Sequence, residues 1–243
     1  MTKEGKHQNT TIDVPLTSKF KAGIVHREQL LTNNETTYAI NWFNTKTRWL
    51  YDLYNFLAGG SVRKIGGVPF FKARLREKLI GDDAGRRDVL LIVQYPALMS
   101  FKNMLQSRVF QLVSILRSLA VADFTFGFSK RRDSGGRPVK FEKSALSHYA
   151  VIHFSGSVDF AQLLKLGDSD AELQVIFASE IAGGLATGKV GGELRDVPCI
   201  MHGIAVLQSV DQDGFTRAIE SAQFETIKTQ ADQLFFGIYD RIF

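Results

Sequence analysis

The chain repeats itself, and this internal repeat constrains the fold more than any other feature of the sequence. The segment Thr37 to Phe43 (TYAINWF) returns as His148 to Phe154 (HYAVIHF). Further along, a pattern of Phe, Ser and Phe at positions 101, 107 and 110 returns with the same spacing at 215, 221 and 224. Because the copies keep their order and a nearly constant separation, we predict two similar units that differ mainly in loop length.

The repeat predicts four segments in the 243 residues. A flexible N-terminal arm covers 1–36, a first unit 37–128, a basic linker 129–147 and a second unit 148–243. Hydrophobic residues make up 44% of the chain and charged residues 23%. These values are typical of globular proteins, so the two units are expected to fold around packed cores.

Hydrophobic periodicity predicts the order β-α-β-β-α-β in each unit. In the first unit the predicted strands are 38–44, 70–80, 88–95 and 123–128, with helices at 46–57 and from 101 onward, where Ser107 is expected to cap a second helical segment. In the second unit the predicted strands are 149–155, 200–207 and 234–239, with helices at 158–166 and 215–230. The stretch 171–195 is ambiguous, since Val175 to Ala182 fits a helix or a strand. Paired glycines at 59–60, 66–67, 183–184 and 191–192 are expected in turns.

This order is the ferredoxin-like arrangement, in which both helices cover one face of an antiparallel sheet. The other face must also be buried, and the second unit offers a matching sheet. The predicted fold is therefore α+β, with two tandem ferredoxin-like units whose sheets pack face to face as a pseudo-dimeric α/β barrel.

Three features of the first unit resemble the dimeric α/β-barrel superfamily, and most closely its uncharacterised DUF1330-type proteins. They are Gly66-Gly67, the strand Arg87 to Pro96 (RDVLLIVQYP) and the helix from Phe101 to Phe110. The second unit departs from the pattern, since Leu207-Gln208 stands where the first unit has an aromatic residue and proline. The resemblance implies the barrel fold and a ligand-sized cavity. The superfamily includes muconolactone isomerases, cofactor-free monooxygenases and tandem-repeat haem proteins like chlorite dismutase, so no single reaction is implied.

Alternation along the first strand of each unit predicts which side chains face the barrel interior. The small residues Ala39 and Ala150 suit close packing against helices. The opposite face then carries the predicted ligand-binding residues, Tyr38, Trp42 and Tyr149, together with His153. A neutral imidazole among aromatic rings can act as a general base or bind a metal, so His153 is the candidate catalytic residue. A hydrogen-bonded core histidine is the alternative.

Two further residues are candidates for ligand binding. His202, on the central strand of the second unit, would approach His153, and two histidines can share a haem, a metal or a proton. Its alignment with the apolar Leu90 and the absence of a third ligand nearby argue against a metal, and no metal site is predicted. Arg74 would bind an anionic group at the cavity mouth, although the alternation of charges on its strand also fits an exposed sheet edge.

The net charge and the cysteine content limit the classes of partner that are expected. The net charge is +5, but much of the excess lies between residues 130 and 143, which a solvated linker explains as well as a phosphate-binding patch. The single cysteine, Cys199, excludes an internal disulfide, and no apolar run is long enough to span a bilayer. We expect a cytoplasmic protein with no membrane partner and no nucleic-acid partner, as a monomeric pseudo-dimer or a homodimer.

Three functions remain open from the sequence. The first is a small-molecule-binding barrel, acting without a cofactor as a monooxygenase or isomerase on an apolar or aromatic metabolite. The second is a non-enzymatic interaction module that uses the arm and the linker. The third is a haem-binding tandem barrel resembling the chlorite dismutase group. No phosphate-binding glycine loop, nucleophile elbow or zinc motif occurs in the sequence, so those chemistries lack support.

Overall fold

The computed structural model describes residues 23–26, 34–81, 86–132, 147–168, 172–186 and 202–242. The strands are β1 (Gly23–His26), β2 (Thr37–Thr45), β3 (Val68–Ile80), β4 (Val89–Tyr95), β5 (Val121–Arg131), β6 (His148–Gly156), β7 (Leu173–Ala186), β8 (Gly203–Ser209) and β9 (Ala231–Arg241). The helices are α1 (Arg48–Lys64), α2 (Leu98–Gln106), α3 (Arg108–Ala120), α4 (Phe160–Leu164), α5 (Asp213–Glu220) and α6 (Ala222–Gln230), and α4 continues into a 3₁₀ turn at Lys165–Asp168.

The strands close into an antiparallel barrel. Eight of them follow the order β7-β5-β2-β4-β3-β9-β6-β8, and β8 pairs back with β7 to complete the ring. The short strand β1 adds to the free side of β7 near its end. The predicted α+β class and the closed barrel are therefore confirmed.

Both halves of the chain use the same strand order. It is β5-β2-β4-β3 in the first half and β9-β6-β8-β7 in the second. The halves are joined where β3 pairs with β9 and β5 pairs with β7. Strand β7 spans this second seam, because Leu173 to Glu180 pair with β8 while Ser179 to Ala186 pair with β5.

Strand β2 separates two hydrophobic layers. Along β2, Tyr38, Ile40 and Trp42 belong to the hydrophobic cluster of the barrel interior. The intervening Ala39 packs outward beneath α2 and α3, and Phe43 packs against α1. Alternation thus places Tyr38 and Trp42 inside and Ala39 outside, as the sequence predicts.

The long helical stretch in each half is broken at a serine. Ser107 has extended backbone angles, and its Oγ accepts a hydrogen bond from the backbone N–H of Phe110 at 3.2 Å, which starts α3. Ser221 receives the same bond from Phe224 at 3.2 Å and starts α6. The predicted cap at Ser107 is confirmed, and Ser221 caps α6 in the same way in the second half.

Two predicted glycine turns are wrong. Gly59 and Gly60 lie inside α1, because the burial of Tyr51 and Ala58 on one helix face outweighs the roughly 1 kcal/mol by which a glycine disfavours a helix. Gly183 and Gly184 lie inside β7, where they pair with β1 on one side and β5 on the other. The pair Gly66 and Gly67 lies in the turn between α1 and β3, as predicted, with Gly66 at a φ of 78°. The last pair, at 191–192, falls outside the described residues, as does Cys199.

Strand structure occurs in both segments predicted as the arm and the linker. The predicted arm contains β1, which pairs with β7. Strand β5 continues through Arg131 into the predicted basic linker, whose residues 133–146 lie outside the described part of the chain. None of the described helices combines the length and the apolar character that crossing a bilayer requires.

Candidate functional site

The interior of the barrel holds two stacked rings from equivalent positions of β2 and β6. The indole of Trp42 and the imidazole of His153 lie with their centroids 3.9 Å apart and their planes 20° from parallel. Both side chains are about 1% exposed. Strand β2 contributes the first ring and β6 the second, so the two halves of the chain meet at this contact.

Residues of β9 enclose the stack. The ring of Phe235 meets Trp42 edge-on at 5.4 Å and lies 6.3 Å from His153. The indole Nε1–H of Trp42 donates a hydrogen bond to the hydroxyl of Tyr239 at 3.1 Å, so its only polar atom is satisfied. Burial raises the pKa of Tyr239, which therefore stays a neutral phenol.

Burial strongly shifts the pKa of His153. Burial, with a smaller contribution from the positive charge of Arg87, lowers the pKa of its imidazole to about 3. The ring is therefore neutral at physiological pH, with one N–H donor and one acceptor nitrogen. Neither nitrogen has a hydrogen-bond partner among the described residues. Leaving such groups unpaired in a buried site costs about 1–3 kcal/mol, so this position is unfavourable unless something else binds there.

Two buried hydroxyls on the same interior face share this property. Thr125 on β5 is the register partner of Trp42, and Ser179 on β7 is the register partner of Ile204, an interior residue. Their Oγ atoms have no hydrogen-bond partner among the described residues. The interior thus combines apolar walls with three side chains that can still donate and accept hydrogen bonds.

A polar cluster lies at the end of the barrel that is nearer to the stack. The guanidinium of Arg87 lies 5.6 Å from the centroid of Trp42, and its Nε donates to the backbone carbonyl of Asp123 at 2.6 Å. Asn44 donates to the carboxylate of Asp123 at 2.8 Å and accepts from the backbone N–H of Asp88 at 2.9 Å. Asp123 has a φ of 48°, a strained conformation for a residue other than glycine, which these bonds hold in place.

The other two predicted wall residues lie toward the opposite end of the barrel. Tyr38 meets the rings of Phe70 and Phe177 edge-on at 5.5 Å and 5.1 Å. Tyr149 lies 5.6 Å from the ring of Phe71, and its hydroxyl accepts a hydrogen bond from Arg241 at 3.3 Å. Both tyrosines face the interior. Each lies four residues before a member of the stack on the same strand, Tyr38 before Trp42 and Tyr149 before His153.

His202 and Arg74 lie apart from the stack. The Nδ1 of His202 is held by the backbone of Gly156, whose N–H lies 2.7 Å away. The register pairs His153 with Ile204 and Trp42 with Leu90, so the counterpart of Leu90 is Ile204 and the predicted alignment with His202 is two residues out. Arg74 is exposed on the outer face of β3, since Phe71 and Ala73 occupy the interior face. In the described part of the chain no three His, Cys, Asp or Glu side chains come together as a metal site.

Four residues of the site were not singled out from the sequence: Arg87, Thr125, Ser179 and Tyr239. Tyr239 lies four residues after Phe235 on the last strand and therefore on the same face, and this pattern alone would have placed it inside. Thr125 and Ser179 carry no sequence signal, because an isolated hydroxyl on a strand is usually exposed. Arg87 precedes the central strand, where a solvated arginine is the ordinary expectation.

A comparison with protein-family models finds no match, and neither does one with curated proteins. Among solved structures, a protein of unknown function from Rhodopseudomonas palustris is 19% identical and matches 41% of this chain and 85% of its own, with a TM-score of 0.39. An anthrone oxidase-like protein is 11% identical over 91% of this chain and 95% of its own, with a TM-score of 0.49. A mutant chlorite dismutase from Candidatus Nitrospira defluvii is 15% identical over 88% of this chain and 95% of its own, with a TM-score of 0.48.

Proposed function

We propose that the protein binds a small, largely apolar molecule inside the barrel, beside the Trp42–His153 stack. One observation carries this proposal: the buried imidazole of His153 has a donor and an acceptor nitrogen without partners among the described residues. Native interiors rarely leave buried polar groups unpaired, and ligand sites are a common exception. The unpaired hydroxyls of Thr125 and Ser179 support the same conclusion.

The side chains around the stack define the chemistry of the ligand. Indole and phenyl faces favour a flat aromatic or conjugated ring. A neutral imidazole with two hydroxyls on the same interior face suits a ligand with one or two hydroxyl or carbonyl groups, and disfavours one with several charges. Aromatic alcohols and ketones of one or two rings meet both conditions.

For catalysis, His153 is the candidate proton acceptor and Arg87 the candidate anion stabiliser. With its pKa lowered to about 3, the imidazole accepts a proton only as the ligand beside it becomes an anion, because the ion pair then offsets the cost of a buried cation. In a ketone ligand, removal of a proton from the carbon beside the carbonyl leaves the electron pair of that C–H bond in an enolate. Returning the proton to a different carbon of a conjugated enolate would complete an isomerisation without a further reactant. Oxygenation of the same anion would also require dioxygen. Both reactions belong to the proposal. Isomerisation requires less of the site, because the site need not admit a second reactant.

The residues of the site do not fit a haem. His153 stacks on Trp42 on one side and faces Phe235 on another, which leaves it unsuited to axial ligation of a porphyrin. His202 uses its Nδ1 to bind the backbone of Gly156. We therefore derive no chemistry through a haem.

We further propose that the chain is a tandem duplication of a ferredoxin-like unit, with the units at 37–128 and 148–243 and a DUF1330-type ancestor. The shared strand order and the matching caps at Ser107 and Ser221 support this. Co-expression of 1–135 and 136–243 as separate chains should then yield one stable complex, because the halves meet through complete strand pairs. Failure of two soluble halves to associate would contradict it.

Binding of 1-naphthol tests the proposed function. In protein labelled with ¹⁵N-histidine, 1-naphthol should shift the ring-nitrogen signals of His153, while naphthalene, which lacks the hydroxyl, should shift them less. His153→Leu should weaken binding of 1-naphthol about tenfold, the value of one buried hydrogen bond. His148→Gln, at the partly buried start of the same strand, is the matched control and should bind normally. Equal binding by wild type and His153→Leu would overturn the proposal.

A further inference from the structure

The outer surface of α1 and α3 is apolar where a helix surface is usually polar. On α1, Trp49 is 68% exposed and Phe56 is 78% exposed. The large apolar side chains exposed on these two helices are Trp49, Leu53, Phe56, Leu57, Val109, Leu112, Ile115 and Leu119. They recur at steps of three and four, which places them along one stripe of each helix. We call this surface the apolar helix face.

The two helices pack side by side on the outside of the first half, so their stripes form one surface. Each exposed side chain contributes on the order of 100 Å², which gives the face roughly 800 Å². Exposed apolar patches of this size on soluble proteins mark binding surfaces.

The apolar helix face is surrounded by positive charge. The helical layer of the first half, residues 46–64 and 98–120, contains seven basic residues and one acidic residue, Asp52. The basic residues are Lys46, Arg48, Arg63, Lys64, Lys102, Arg108 and Arg117. Arg63 and Lys64 are exposed at the end of α1, and Arg108 is exposed at the start of α3.

The second half of the chain serves as an internal comparison. Its helical layer, residues 160–168 and 213–230, contains three basic and four acidic residues. None of the large apolar side chains exposed among the described residues lies on α4, α5 or α6. Both halves share one architecture, so the fold itself does not require an apolar, basic outer layer.

We propose that the apolar helix face docks the protein on the surface of an anionic lipid bilayer. Helices that lie in the membrane interface combine Trp, Phe and Leu on one face with Lys and Arg at its border, as α1 and α3 do. Each basic residue near an anionic surface strengthens binding. A second copy of this chain fits less well. A twofold interface would bring the seven basic residues of one copy close to the seven of the other, with one acidic residue, Asp52, on each side. The expectation of no membrane partner rested on the lack of a spanning segment, which does not bear on surface binding.

Vesicle sedimentation tests the proposal. The full chain should sediment with vesicles of three parts phosphatidylcholine to one part phosphatidylglycerol, and bind phosphatidylcholine alone at least about tenfold more weakly. The double variant Trp49→Ser/Phe56→Ser should bind the anionic vesicles about tenfold more weakly. Val210→Ser removes an exposed apolar side chain outside the apolar helix face and should bind normally.

Brominated lipids locate the contact. The chain has two tryptophans, Trp42 in the interior and Trp49 on the surface. Brominated acyl chains should quench the fluorescence of the wild type, whereas Trp49→Phe should bind the vesicles without being quenched. No binding to anionic vesicles would overturn the proposal, as would equal binding to both compositions. A dimer by sedimentation velocity that Trp49→Ser/Phe56→Ser abolishes would also overturn it and assign the face to a second copy.

Discussion

Trp42 and His153 occupy equivalent positions in β2 and β6, yet one is an indole and the other an imidazole, and they stack on each other at 3.9 Å. The contact lies where the two halves of the barrel face one another. A duplication of identical units would place two identical rings there. The difference gives the interior one imidazole, that of His153, beside a ring whose N–H is already bonded to Tyr239.

The buried imidazole should make stability depend on pH. The pKa of His153 is lowered to about 3 in the native protein and is close to 6.5 in the unfolded chain. Between these values the unfolded chain binds a proton that the native protein does not. The free energy of unfolding should therefore fall as the pH falls through this window, by up to ~1.4 kcal/mol per pH unit.

Urea unfolding of wild type and His153→Leu from pH 7 to pH 4 measures this contribution. The variant should lose less stability over the range, because it lacks the group whose protonation is linked to unfolding. At pH 7 it should be no more than about 1 kcal/mol less stable than the wild type, since the lost stacking is offset by removal of an unpaired polar ring. Parallel pH profiles for the two proteins would contradict the prediction.

The charge of Arg87 should also be measurable at His153. Burial is the larger cause of the lowered pKa, and the guanidinium adds to it. Arg87→Met should therefore raise the pKa of His153 while leaving it below 6.5. Arg87→Lys keeps the charge but, like Arg87→Met, loses the hydrogen bond from Nε to Asp123, so it is the matched control. The readout is the pH at which the ring-nitrogen signals of His153 shift; equal values in the two variants would show that the charge has no effect.

The sequence predicted what depends on local pattern and on the repeat. Alternation placed Tyr38, Trp42 and Tyr149 on the interior face, and the requirement to bury two open sheets predicted the barrel. The stack itself could not be predicted, because the contact of Trp42 with His153 depends on the width of the closed barrel. The pairing of Gly183 with β1 was missed for a similar reason, since that partner lies far away in the sequence.

The register of β8 shows how a small shift in the repeat changes the site. The predicted alignment matched His202 to Leu90. The structure matches Ile204 to Leu90 instead, which leaves His202 just before β8, where it binds the backbone of Gly156. Because of this shift of two residues, Ile204 and not His202 is the register partner of His153.

The matching serine caps should contribute equally to both halves. Ser107→Ala and Ser221→Ala each remove an acceptor for an N-terminal N–H of the following helix. Each should lower the free energy of unfolding by about 1 kcal/mol, and the double variant by the sum, because the two helices lie in different halves. Ser118→Ala, on the exposed surface of α3, is the control and should change stability little. Urea unfolding would contradict the assignment if Ser118→Ala lost as much as the two caps.

The hydrogen bond from Trp42 to Tyr239 should contribute strongly to the free energy of unfolding, because both groups are buried. Tyr239→Phe leaves the indole N–H buried without an acceptor, which should lower the free energy of unfolding by about 1–3 kcal/mol. Tyr38→Phe, which removes a hydroxyl at the other end of the interior, should cost less. In the background of Trp42→Phe, where no N–H remains to be satisfied, Tyr239→Phe should cost markedly less than in the wild type. A double-mutant cycle in urea measures this coupling, and additive losses would show that the hydrogen bond does not stabilise the interior.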